Sequence, residues 1–289
     1  MELSGLHLLL TYRCNLSCDH CFVWGGPGQS GTMTLKNIEN ILAEAATVPS
    51  IRSIYFEGGE PFLYYPVMMR GIRMAAERGY DVGVVTNGYW ATDLPDAEEW
   101  LRPLAGLVGD LAVSSDLHHE REPVGRKAAF AKEAARMLGL PMGVISIARP
   151  GESGGRLSPI MYKGRAVNLA GEAPRKRWDT FTECPYEDLE EPGRVHVDCY
   201  GNLHICQGIV VGNLFTTPLA EICREYDVVS HPVAGPLHEG GPVELTRRCG
   251  LSPGETYADA CQMCFQARLR LRERFGDVLK PDQMYGDPP

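Results

Sequence analysis

No apolar run in this chain approaches the ~18 residues that a membrane-spanning helix requires, so no membrane partner is expected. Positive charge is also scarce. Against 37 Asp and Glu stand 28 Lys and Arg, a net charge of −9, which argues against nucleic acid as the main partner. The one basic run, Arg175-Lys176-Arg177, reads as a solvated loop face. The opening MELSGLHLLLTY has neither a basic n-region nor a cleavage site, so a secreted disulfide framework is not expected. There is no internal repeat and no low-complexity tract. The 289 residues can bury a substantial core, enough for one large domain and an appendage.

Cysteine, by contrast, is plentiful: the chain has ten. Without a secretory signal they point to a reducing, cytoplasmic setting and to metal binding rather than disulfides. Three lie in Cys14-Asn15-Leu16-Ser17-Cys18-Asp19-His20-Cys21. Three thiolates can hold three irons of a [4Fe–4S] cluster and leave the fourth iron open to a second molecule. Two other readings stay open on spacing alone. Positions i, i+4 and i+7 would form one buried stripe of a helix. Zinc also uses short cysteine spacings, although no second CxxC or HxxxH pair lies nearby.

A second feature lies about forty residues downstream. The segment Arg-Ser-Ile-Tyr-Phe-Glu-Gly-Gly-Glu-Pro ends an apolar strand on two glycines and a carboxylate. Gly58 and Gly59 permit a sharp turn and close backbone approach, and Glu60 offers an acceptor for an ammonium group.

With both motifs the chain resembles the radical S-adenosylmethionine (radical SAM) superfamily. Cys14, Cys18 and Cys21 match that family's cluster-binding loop, and Gly58, Gly59, Glu60 and Pro61 match its motif for the methionine amine and carboxylate. The resemblance covers roughly the first 150 residues. It implies an α/β fold, a partial (β/α)6 TIM-like barrel, with the cluster at the C-terminal mouth. It further implies that the cluster donates one electron to SAM, giving methionine and a 5′-deoxyadenosyl radical that removes a hydrogen atom from a substrate. An external one-electron reductant of flavodoxin or ferredoxin type would be required. His20 would pack beside SAM, because the family usually places an aromatic side chain there.

The coarse pattern agrees with βαβ units. Strands are expected at 6–12, 52–57, 81–86, 110–114 and 142–148, and helices at 34–47, 66–78, 97–105 and 124–139. Parallel barrels carry their chemistry on the loops at strand C-termini. That rule flags Asn87 and Gly88, then Ser114, Ser115 and Asp116, then Ser146 and Arg149. By resemblance the third- and fourth-strand ends lie near the SAM ribose, where Asn87, Ser114 and Ser115 would bind cofactor. Asp116 could contact ribose or substrate, or simply cap the next segment. His118, just beyond, is a candidate proton carrier, with His119 a surface neighbour. Arg149 could hold a carboxylate or phosphate, or form a structural ion pair.

Seven cysteines follow residue 183: Cys184, Cys199, Cys206, Cys223, Cys249, Cys261 and Cys264. Residues 194–206 read as two short strands around a Tyr-Gly-Asn turn. Gly201, Cys206, the upstream Cys184 and the late Cys261-Gln262-Met263-Cys264 pair resemble the auxiliary-cluster modules called SPASM and Twitch. Nothing follows Cys264, so the shorter Twitch form is expected, with one auxiliary [4Fe–4S] cluster on Cys184, Cys206, Cys261 and Cys264. Cys199 and Cys249 are the substitutes, Cys223 reads as core, and a four-thiolate zinc is the alternative. The CxxC pair is expected just before a charged helix at 266–275. The segment Met161–Ala166 resembles the link between barrel and module, which divides the chain into residues 1–165 and 166–289. Lys163 and Arg165 in that link would face the active-site mouth, or the segment is simply a solvated linker.

These readings predict a radical enzyme acting on a small polar substrate, such as a sugar, aminocyclitol or nucleoside, by dehydrogenation, decarboxylation or epimerisation. The alternative substrate is a short ribosomal peptide, to be crosslinked or epimerised. No leader-binding segment precedes the first strand, which favours the small molecule. An iron–sulfur scaffold without turnover fits poorly with two complete motifs.

Overall fold

The computed structural model describes residues 1–116, 125–150, 152 and 157–286. His118 and His119 lie outside the described residues, so their expected roles are not placed.

The first half alternates strand and helix: β1 (Leu3–Leu9), α1 (Leu35–Ala45), β2 (Ser53–Glu57), α2 (Tyr65–Glu77), β3 (Asp81–Thr86), α3 (Leu94–Leu101), β4 (Asp110–Ser114), α4 (Arg126–Met137) and β5 (Met142–Ile145). Local chemistry sets the boundaries. Thr34 caps α1 in a reciprocal pair with Asn37, and Ile38, Ile41, Leu42 and Ala45 bury one face at helical spacing. Helix α3 begins three residues earlier than periodicity suggests, because Asp93 accepts the Asp96 N–H and Pro95 fits the first turn. Strand β5 stops at Ile145 rather than 148. Beyond it the Ser146 hydroxyl donates to the Ser115 carbonyl and Asp116 accepts the Ile147 N–H, so side-chain bonds replace the ladder.

The second half adds β6 (Lys176–Arg177), β7 (Gly193–Val197), β8 (Asn202–Cys206), β9 (Ile209–Asn213), α5 (Leu219–Glu225), α6 (Ala234–Arg248), β10 (Thr256–Tyr257) and α7 (Ala260–Leu271). One eight-stranded sheet runs β5-β4-β3-β2-β1-β7-β8-β9. It is parallel from β5 through β1 to β7, and antiparallel only across β7, β8 and β9. Beyond β5 a single parallel bridge, Ile147 to Ser158, continues the sheet among the described residues. The hairpin of the second half continues the same sheet from the other edge of β1. The strands β7 and β8 do pair around Tyr200-Gly201, as their sequence predicts.

The two sheet faces have opposite character, and this creates the site. Leu6 and Leu8, Ile54 and Phe56, Val82 and Val84, and Leu111 and Val113 are buried in the helix-side core, each apolar side chain contributing roughly 1.5–3 kcal/mol. Their alternates face inward and are small or polar: His7, Tyr55, Glu57, Val85, Asp110, Ala112, Ser114 and His196. A closed barrel fills its interior with bulky branched side chains. Here the inner layer leaves a cavity of about 660 Å³. No helix among the described residues is long and apolar enough to cross a membrane.

Candidate functional site

The cysteine loop leaves β1 and folds over the mouth of this cavity, which Cys14, Cys18, His20 and Cys21 line together with Gly58, Gly59, Asn87 and Ser114. The loop is stitched to the turn after β2. The Gly59 N–H donates to the Thr11 carbonyl at 2.6 Å and the Glu60 N–H to that of Arg13 at 3.0 Å. Side chains at Gly58 or Gly59 would collide with this backbone, and Gly58 also holds a positive φ of 144°, so the glycines are required by close approach.

Glu60 is the residue expected to accept an ammonium group. It is fully buried and does not line the cavity. One carboxylate oxygen accepts the Phe62 N–H at 3.0 Å and the Thr86 hydroxyl at 2.8 Å, and the other accepts the Asn87 N–H at 2.7 Å. It therefore ties the glycine turn to the end of β3. Pro61 is likewise buried, opening the short 3-10 turn Pro61–Tyr64.

Asn87 reaches the cysteines directly. Its amide lies 3.5 Å from the Cys14 sulfur and 2.9 Å from the Asn15 side-chain oxygen. His20 has its Nε2 3.9 Å from Asp116. Ser115 and Asp116 are buried and do not line the cavity, because after Ser114 the chain turns its polar groups onto β5. Arg149 is exposed and outside the cavity, where its backbone N–H donates to Glu152.

Arg165 is central to the loop, and spacing gave only a hint of it. Its guanidinium donates to the carbonyls of Cys18 (2.6 Å), Trp24 (3.1 Å) and Gly25 (2.7 Å), and its cationic carbon lies 5.5 Å from the Trp24 ring. Three carbonyls held by one rigid fork fix the loop that carries all three thiols. Burial pushes the Cys14 thiol up to about 11 and raises those of Cys18 and Cys21 as well, while Arg165 pulls the latter two down. A coordinated metal removes such protons outright.

The second cysteine set also converges. Cys184, Cys206, Cys261 and Cys264 line one pocket with Lys163, Glu187 and Arg268. The capped start of α7 explains part of this: Asp259 accepts the Gln262 N–H at 2.7 Å, so the helix begins at Ala260 rather than 266. Cys261 and Cys264 then share a face at i, i+3. Gly241, at φ 61° inside the interrupted α6, has no Cβ to strike the backbone of Phe181–Glu183, which leads into Cys184. Cys199 packs against Gly31 instead, Cys223 sits in the core, and neither they nor Cys249 line the pocket.

The chemistry of this pocket fits an anionic centre. Arg268 is fully buried and makes no ion pair with a carboxylate among the described residues, and its Nε has no hydrogen-bond partner. It donates instead to Gln207 and Tyr285. Lys163 lies 3.1 Å from Glu187 and 3.9 Å from the Cys206 sulfur. A buried guanidinium without a counter-charge is costly, and a thiolate–metal centre beside it would supply that charge. Among the described residues no three cysteine sulfurs lie within 4.8 Å of one another. A single zinc ion, with Zn–S of about 2.3 Å, holds its sulfurs about 3.8 Å apart. An iron–sulfur cubane instead takes each thiolate on a different iron.

The model of the radical SAM superfamily matches residues 8–137. A cofactor-modifying protein for tungsten-containing aldehyde ferredoxin oxidoreductase from Pyrococcus furiosus is 38% identical over 111 residues, 38% of this chain and 30% of that protein. A putative peptide biosynthesis protein of Bacillus subtilis is 30% identical over 111 residues, 38% and 35% of the two chains. An S-adenosylmethionine-dependent nucleotide dehydratase from Fibrobacter is 27% identical over 194 residues, 63% and 56%. The chain thus spans about a third to a little over half the length of these relatives. In fold it resembles Streptococcus suis SuiB bound to its precursor peptide, with a TM-score of 0.57 at 13% identity over 82% of this chain and 70% of that one. Cysteine loop, glycine turn, parallel sheet and family match coincide on one segment: residues 8–137 are a radical SAM domain.

Proposed function

We propose that this protein is a radical enzyme that takes a hydrogen atom from a small polar molecule held in the central cavity and dehydrogenates, decarboxylates or epimerises it. Sugars, aminocyclitols and nucleosides are the substrate classes. Bound on Cys14, Cys18 and Cys21, a [4Fe–4S] cluster with SAM supplies the 5′-deoxyadenosyl radical, and an auxiliary [4Fe–4S] cluster on Cys184, Cys206, Cys261 and Cys264 supplies an electron acceptor or relay.

One observation carries this reading. Lys163 and Glu187 line both the central cavity and the four-cysteine pocket, so the two spaces share a wall, with Cys14, Cys18 and Cys21 on the cavity side and Cys184, Cys206, Cys261 and Cys264 on the other. A volume of about 660 Å³ falls within the range that encloses a small ligand. The 194-residue alignment with a nucleotide dehydratase supports a substrate of that size. Asn87 and Arg165 hold the loop, Gly58 and Gly59 admit SAM to the backbone, His20 and Ser114 wall the cavity, and Lys163 keeps a cation beside Cys206. We place the boundary between barrel and auxiliary module at residues 165 and 166, and infer a ferredoxin- or flavodoxin-type reductant as the electron source.

The second reading is maturation of a short peptide, favoured by the 30% identity to the Bacillus subtilis protein. Anaerobic incubation with SAM, dithionite and pooled sugars, aminocyclitols or nucleosides, followed by mass spectrometry, distinguishes them. Release of 5′-deoxyadenosine with a product two hydrogens lighter supports dehydrogenation, loss of carbon dioxide supports decarboxylation, and an unchanged mass with altered stereochemistry supports epimerisation. Modification of a peptide alone contradicts the small-molecule reading.

A further inference from the structure

Three inward side chains take no part in the reading above: His7 on β1, Glu57 on β2 and His196 on β7. The register sets His7 opposite both Tyr55 and His196, with Glu57 one inward position further along β2. Nδ1 of His7 lies 2.9 Å, and Nε2 of His196 3.0 Å, from the same carboxylate oxygen, Oε1 of Glu57. These three atoms all fall within 4.8 Å of one another, the only such group among the described residues. All three residues line the central cavity, with side-chain exposures of 14%, 11% and 21%. They are desolvated but reachable.

Polar groups in the inner layer of a barrel replace apolar packing, and here the two imidazoles share hydrogen bonds to one carboxylate that a metal ion would take over. The donors come from three different strands, so rigid backbone sets their convergence. The His7 ring stacks on Tyr55 at 4.5 Å and 5°, and the Tyr55 hydroxyl donates to Asp110 at 2.8 Å, which restrains the imidazole. Two imidazoles and one carboxylate with open positions suit zinc or ferrous iron. Ligands about 2.1 Å from such an ion and at right angles to each other lie about 3.0 Å apart, the spacing seen here.

We propose that His7 Nδ1, Glu57 Oε1 and His196 Nε2 form a mononuclear site for a divalent first-row transition metal, with its open coordination positions facing the central cavity. The hard nitrogen and oxygen donors separate it chemically from the thiolate sets at the mouth and in the second pocket. A metal held there would take an oxygen or nitrogen of a cavity ligand. This inference does not depend on the identity of the substrate or on the auxiliary cluster.

The test uses the anaerobically reconstituted protein, stripped of loose metal and titrated calorimetrically with Zn²⁺. One saturable equivalent per chain is expected, with zinc absorption-edge spectra showing nitrogen and oxygen neighbours near ~2.0–2.1 Å and no sulfur near ~2.3 Å. His196→Gln and Glu57→Gln should each weaken uptake at least about tenfold, since even outer partners of metal ligands cost that much. Cluster absorbance of His196→Gln checks folding, because β7 carries none of the cysteines, and His7→Gln serves if that variant fails the check. Absence of saturable uptake, sulfur in the zinc shell, or equal uptake by parent and variants overturns the site.

Discussion

The side-chain amide of Asn87 sits 3.5 Å from the sulfur of Cys14, reaching across 73 residues from the end of β3 to the first thiol of the loop. A hydrogen bond to a cluster sulfur stabilises the ligated form and tunes its potential. Asn87→Leu should therefore hold iron at Cys14, Cys18 and Cys21 less tightly, by about tenfold in chelator challenge, and lower the potential of that cluster. Unchanged chelator kinetics and potential would remove Asn87 from this role.

Glu60 makes a different prediction from the one its motif suggests. Its carboxylate accepts three hydrogen bonds in a fully buried setting. Glu60→Ala leaves three donors unsatisfied, at a cost of roughly 3 kcal/mol, and should lower the melting temperature by roughly 6–12 °C, with Glu60→Gln in between. A melting temperature unchanged in Glu60→Ala, together with lost SAM affinity, would restore the ammonium-acceptor role.

Arg268 is the buried cation of the four-cysteine pocket, lying 5.5 Å and 5.6 Å from the Phe265 and Tyr285 ring centres. Arg268→Met keeps its bulk and removes its charge. Reconstituted iron should then fall from about eight per chain towards about four, while SAM binding persists. Full iron retention would show that the charge is not needed there.

Acid should weaken the fold through His231. Its Nδ1 accepts the N–H groups of Val233 and Ala234 at the start of α6, and its Nε2 faces the Val210 carbonyl at 3.1 Å. Burial holds its basicity below the usual histidine value, and that of the Val210 contact only partly offsets this. The unfolded chain then binds the proton that the folded chain refuses. The stabilisation is complete above the ordinary value of about 6.5 and is lost progressively as pH falls below it. His231→Gln should flatten this part of the stability–pH curve, measured by urea unfolding. An unchanged slope would contradict the assignment.

What the sequence revealed follows from how local the signal was. The cysteine loop, the glycine turn and the five strands β1 to β5 are short-range patterns, and β2, β3 and β4 fall within a residue of where periodicity sets them, while β1 lies three residues earlier than expected and β5 ends three residues sooner. The four C-terminal thiols also share one pocket, because a CxxC pair at a helix start presents both sulfurs on one face. Long-range pairings were hidden. Nothing near Glu60 announces Thr86 or Asn87 as its partners, and Arg165 reads as linker until its carbonyl acceptors are seen. His7 lies in an otherwise apolar strand, where one polar residue reveals no convergence with Glu57 and His196. Arg149 was flagged by the strand-end rule alone, and Ser115 and Asp116 by that rule with the resemblance; the rule says where a loop lies but not which way a side chain points.

The most direct test of two thiol-bound clusters is iron content with EPR of the anaerobically reconstituted protein beside a Cys14/Cys18/Cys21→Ala triple variant. The account predicts about eight irons in the parent, and in the variant about four with a cubane signal. A variant free of iron, or one that holds only zinc, would contradict it and make the C-terminal cysteines structural.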